Sequence, residues 1–152
     1  TSSYSPKLSQ YSKYYRTYSN VLNIRTISAE YLVAMKLMSG RRYKKDLSDI
    51  IGILGEQERM GEPLSYQQID CAVRNLYGGW DDISKYAIQV LKAALDSENL
   101  KELFMEQERE EALSKQVVIQ VQKYEGEKIK ESNVEEIIQK ALRKKRDSRD
   151  VR

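Results

Sequence analysis

AMKLMSGRRYKKDLSDIIGIL (Ala34–Leu54) decides how this chain folds. Lys36 lies inside an apolar run that Gly40 ends. Arg41, Arg42, Lys44 and Lys45 then crowd a short turn, and Asp46 and Asp49 open a second apolar run. Leu47, Ile50, Ile51 and Leu54 fall within about 100° of one another at helical spacing, which is a core-facing stripe. The second run therefore predicts a helix from near Tyr43 to about Glu58. Upstream, Ala29 to Met38 is apolar almost all the way round. Tyr31, Ala34, Met35 and Met38 form one face, and Leu32, Val33 and Leu37 fill most of the rest. Such a helix is buried on several sides. Gly40 suits the left-handed residue that ends many helices. The stretch reads as a basic joint between two packed helices.

Immediately before it, VLNIRTI (Val21–Ile27) alternates apolar and polar residues and predicts one short strand. Ser28 and Glu30 mark a helix start directly after it. The opening residues, TSSYSPKLSQYSKYYRTYSN, are rich in Ser and Tyr and predict a frayed start, with tyrosines available to line a sheet edge. Downstream, MGEPL breaks the pattern. Ser65 caps a third predicted helix to Tyr77, with Ile69, Ala72, Val73 and Leu76 as its stripe. Gly78-Gly79 ends it, and Asp81 or Asp82 is expected to cap a fourth helix to about Leu95. From Ser97 the composition becomes strongly charged and the apolar stripe thins, which predicts one long helix with Val117–Val121 as its weakest part. Gly126 breaks it, and Ser132 with Glu135 fits a capping box for a last helix to about Lys145. The expected architecture is mainly α: about five to six helices in a bundle with a short N-terminal β element. Its parts are residues 1–27 (Tyr/Ser-rich segment and strand), 28–96 (helical unit) and 97–152 (charged helical extension).

Composition narrows the chemistry. The 152 residues include no histidine, which excludes serine–histidine triads, cysteine–histidine dyads and histidine-ligated metals. One cysteine, Cys71, allows no intrachain disulfide and points to a reducing, cytoplasmic setting. No apolar run approaches the roughly 20 residues that a membrane helix needs. The first acid is Glu30, so the N-terminal segment is purely cationic, while the tail RKKRDSRDVR holds six cations against two acids. That tail reads either as a solvated terminus or as a nucleic-acid contact. Gly78-Gly79-Trp80-Asp81-Asp82 reads as helix stop and helix start: its glycines end a helix, whereas phosphate-binding glycines open one after a strand.

Two features remain as site candidates. Lys36 has hardly any polar face on its helix, so its ammonium must snorkel, pair with an acid on the next helix, or bind an anion. Asp46 and Asp49, three residues apart, share one flank of the second helix, four residues after Arg42 and Lys45 respectively. Both acids favour a helix N-terminus on electrostatic grounds alone. Asp46 also borders the apolar stripe and needs a partner, for which Lys36 is the natural choice.

LNIRTISAEYLVAMKLMSGRRYKKDLSDIIGIL (Leu22–Leu54) resembles the C-terminal half of bacterial nucleotidyltransferase-like proteins grouped near the type IV abortive-infection toxins (AbiEii). The shared pattern is a strand, a helix with a lysine in an AxKL setting, a basic turn, and KDxxDI opening the next helix. The resemblance implies that Lys36 and Asp46 serve a nucleotide site, and that Arg41, Arg42, Lys45 and Asp49 line it. It also implies Mg and a nucleoside triphosphate as cofactors of the complete family protein, with toxin–antitoxin biology as context. In the family, metal is held by an Asp-x-Asp after a Gly-Gly/Ser turn and by a third acid. This chain has neither before Glu30, so no metal ligands, no cofactor and no catalysis are expected from it alone. The expected partner is a segment carrying that missing N-terminal half, or another protein. A homodimer through the surface left uncovered is the other expectation, and a non-enzymatic helical interaction module is the alternative function.

Overall fold

The computed structural model describes residues 7–18, 22–124, 130 and 132–150. It is mainly helical, with two strands: β1 (Ser12–Tyr18), β2 (Leu22–Ile27), α1 (Ala29–Ser39), α2 (Asp46–Arg59), α3 (Tyr66–Tyr77), α4 (Lys85–Asp96), α5 (Leu100–Tyr124) and α6 (Val134–Asp150). The single expected strand has a partner. SKYYRTY, read as part of a frayed start for want of aliphatic residues, is β1. It pairs antiparallel with β2 from Ser12 opposite Ile27 to Tyr18 opposite Leu22, with an irregularity between Tyr14 and Arg16. Tyrosine and threonine favour pleated backbone, and cross-strand pairing supplies what aliphatic burial does not. Residues 1–6, Val21 and Gly126 lie outside the described residues.

The main core is drawn from α1 to α4. Val33, Ala34 and Leu37 of α1 are fully buried, as are Leu47 and Ile50 of α2, Ile69 and Val73 of α3, and Ala87 and Leu91 of α4. Tyr31, Met35 and Met38 pack only partly against that core, so the inward face of α1 centres on Val33 and Leu37. Tyr11, just before β1, stacks on Tyr31 with ring centroids 4.9 Å apart and ties the hairpin to α1. Helix ends follow local chemistry in α3: Ser65 and Gln68 form a reciprocal capping box, and Gly78 ends the helix at φ 79°. The Gly-Gly-Trp turn is then pinned by Trp80, whose indole N–H donates to Asp70 at 2.7 Å and whose ring stacks on Tyr66.

Three helix starts differ from expectation. α2 begins at Asp46, so Tyr43 to Lys45 stay in the turn. Neither Asp81 nor Asp82 caps α4; Ser84 does, its Oγ accepting from the Ala87 N–H at 3.1 Å. In α6, Glu135 is taken by Arg42, and the first helical turn closes on the Asn133 carbonyl, which accepts from Ile137 N–H. α6 starts at Val134, one residue late for a Ser132–Glu135 box, and Glu135 is left to pair with Arg42.

α5 runs unbroken through Val117–Val121. Its buried residues are Gln107, Glu111, Ser114, Val118 and Val121, spaced four, three, four and three apart. That is a heptad seam, polar at one end and apolar at the other. The polar half lies against α2, while Val118 joins Val134 and Ile138 of α6 in a second, smaller core flanked by Tyr43 and Leu142.

Candidate functional site

The α1–α2 joint is a chain of alternating charges, Asp49–Lys36–Asp46–Arg41. Gly40, at φ 43°, ends α1 with its N–H on the Lys36 carbonyl at 2.8 Å, which turns the chain back toward α2. The Asp46 carboxylate then closes the turn. It accepts from the Arg41 backbone N–H at 3.2 Å and from Arg41 Nε at 2.9 Å. Lys36 Nζ stands 3.8 Å from Asp46 Oδ1 and donates to Asp49 Oδ2 at 2.7 Å. Asp46 is only 5% exposed. Its buried charge is therefore compensated by two cations and a backbone donor, as a buried carboxylate requires. The other three side chains of the quartet sit at the surface: 36% exposed for Lys36, 39% for Arg41 and 40% for Asp49.

The remaining residues of the candidate set point elsewhere. Lys45 is largely exposed and reaches toward Glu108 of α5 at 3.8 Å. Arg42 turns toward α4 and α6, where its side chain is 13% exposed. It donates to Glu135 of α6 at 3.0 Å, and its guanidinium carbon lies 3.9 Å above the Tyr86 ring of α4. Lys36, Arg41, Asp46 and Asp49 are thus brought together, while Arg42 and Lys45 are not part of that group.

A fifth polar residue belongs to the joint and was missed by sequence reasoning. Glu111, 5% exposed on α5, accepts from the Ser48 backbone N–H at 2.9 Å and from the Ser48 hydroxyl at 2.7 Å. Lys45 at the N-cap position of α2 makes no side-chain cap. Glu111 supplies that function from a distant helix, where its negative charge also complements the helix dipole. Burial pushes the Glu111 carboxyl above the usual glutamate range, the Ser48 hydrogen bonds opposing it and Asp49 adding to it. The signal was present in the heptad spacing of Gln107, Glu111 and Ser114, which an eye for apolar stripes passes over.

Magnesium does not fit these side chains. Among the described residues no group of three or more Asp, Glu, Cys or His is placed to hold a metal ion. Asp46 and Asp49 are engaged by Lys36 and Arg41, and Glu111 by Ser48. Among the described residues no helix is long and apolar enough to cross a membrane. No family model, curated protein or solved structure matches this chain.

Proposed function

We propose that residues 28–96 form the helical wall of a nucleotide-phosphate cleft in a nucleotidyltransferase-like protein acting in the cytoplasm. The observation that carries the reading is the quartet at the joint: one buried carboxylate, Asp46, orients two cations whose side chains still meet solvent. Lys36 is the phosphate contact. Its present partner, Asp49, is half-buried like Lys36 itself, and a pair that still meets solvent is worth on the order of 1 kcal/mol, so exchange of Asp49 for a phosphate oxygen costs little. Asp46 is a positioning residue that holds Lys36 and Arg41 in place. Divalent ions and the carboxylates that bind them belong to a different polypeptide segment, and no step of the reaction is assigned to this chain alone. Titrating the chain with a nucleoside triphosphate, followed by amide NMR, tests the assignment. Weak, roughly millimolar shifts at Lys36 and Arg41 that vanish in Lys36→Met are expected. Shifts that survive Lys36→Met, or nucleotide transfer by this chain alone, refute the division of labour.

The alternative, a helical module that self-associates, draws on Met105, Leu113 and Ile119, three large apolar side chains exposed on α5. At 100° per residue they span about 120° of the helix surface, enough for a shared contact strip. Light scattering after size exclusion separates the readings: a dimer that dissociates in Ile119→Lys supports the module, and a monomer at high concentration removes it.

A further inference from the structure

Arg42 is at the meeting point of three concavities along α6. One of about 310 Å³ is bounded by Arg42, Gln139, Leu142, Arg143 and Arg146. A larger one of about 610 Å³ shares Arg42 and Gln139 and continues past Met38, Tyr86 and Ser84. The third, between α5 and α6, shares Arg42, Leu142 and Arg146 with the first. Gln139, Leu142, Arg143 and Arg146 are spaced three, one and three apart, so they lie on one face of α6 and present two guanidiniums toward a third from the α1–α2 joint.

Three like charges at one concavity repel unless a counter-charge sits among them. Among the described residues Glu135 pairs with Arg42. Glu110 lines the third concavity and Asp82 the larger one, with Lys145 and Lys85 beside them, so cations still outnumber acids around Arg42. Arg42 Nε is also buried without a hydrogen-bond partner, although most buried donors in folded proteins are satisfied. We propose that the Arg42–Arg143–Arg146 concavity binds the phosphate of a phosphomonoester whose organic part lies in the adjoining space beside Met38 and Tyr86. A phosphate dianion suits this excess of positive charge, and guanidinium forks match its oxygens in geometry. The joined volumes fall in the range of small-molecule sites.

Arg41 borders the larger concavity as well, but the site uses neither Lys36 nor Asp46, so Lys36→Met separates it from the nucleotide cleft proposed above. Phenyl phosphate is the probe, with ³¹P NMR titration for affinity and amide shifts for location. Binding that maps to Arg42, Gln139 and Tyr86, unaffected by Lys36→Met, is expected. Arg143→Ala/Arg146→Ala removes two exposed side chains and should weaken it at least about tenfold with unchanged circular dichroism. Lys101→Ala/Arg109→Ala removes the same charge from α5 and should leave it unchanged. Equal weakening in both double variants, shifts confined to Lys36 and Asp49, or no binding by the unmodified chain would overturn the assignment.

Discussion

Glu111 is the residue whose replacement tests the architecture most sharply. Its carboxylate satisfies the Ser48 N–H and hydroxyl at a helix start that has no cap of its own. In Glu111→Ala the Ser48 N–H, on a residue 1% exposed, loses its acceptor, while the hydroxyl retains the Lys45 carbonyl at 3.2 Å. An orphaned buried donor costs about 1–3 kcal/mol, and the lost packing adds about 1 kcal/mol. We expect Glu111→Ala to lower stability by about 2–4 kcal/mol in urea unfolding followed by circular dichroism. Glu111→Gln keeps an acceptor for the N–H and should cost about 1 kcal/mol. The pH dependence gives an independent check. Because the folded-state pKa is raised, the folded chain binds more protons than the unfolded one between the ordinary glutamate value and the raised one. Glu111 therefore contributes more stability as pH falls through that window and less as it rises. The stability of the unmodified chain relative to Glu111→Gln should increase from about pH 7 to about pH 4, the other carboxylates cancelling in the difference. A relative loss of stability on acidification would mean that the helix N-terminus stabilises the charged carboxylate more than burial penalises it. A cost below about 0.5 kcal/mol for Glu111→Ala would refute the cross-helix cap outright.

The joint makes two further predictions. Asp46→Asn should cost about 1–3 kcal/mol, since it removes the charge of a buried carboxylate that closes the turn, whereas Asp49→Asn should cost about 1 kcal/mol or less because both members of its pair still meet solvent; chemical denaturation of the two variants side by side reads the difference. Gly40→Ala should lower stability by at least about 1 kcal/mol, because φ is 43° and a Cβ there would stand 2.9 Å from the Leu37 carbonyl oxygen and 3.3 Å from Ala87 Cβ. A melting temperature unchanged in that variant would contradict the tight α1–α4 approach.

Much of the local structure was legible in the residues. Ser65 with Gln68, Gly78, and Gly40 each carry their own geometry, because a capping side chain or a left-handed backbone needs only its immediate neighbours. The stripes of α2, α3 and α4 were legible for the same reason: helical period and core face are one property. Two failures were local, the start of α2 and the capping of α4 by Ser84; the others involved partners distant in the chain. Ser132 and Glu135 satisfy a local pattern, yet Glu135 pairs with Arg42, ninety-three residues away in the chain. SKYYRTY lacks the aliphatic pattern of a strand and becomes one through its antiparallel neighbour.

The candidate site divides along the same line. That Lys36 needs an acid from the next helix follows from its apolar surroundings, and the joint of Ala34–Leu54 supplies two. Which acid takes the closer contact, and which basic residue joins them, is decided by how Gly40 turns the chain: Lys36 meets Asp49, Arg41 closes on Asp46, and Arg42 leaves for α6. Arg41 and Arg42, interchangeable as letters, thus end with different partners, Asp46 and Glu135. The sequence by itself determined the helices, the inward faces of α2, α3 and α4 and the existence of a charged joint, because these depend on spacing within a few residues. Only the tertiary structure decided the partners of each charge and the capping of α2 by Glu111, because burying a polar group forces it onto whatever donor or acceptor packing brings within reach.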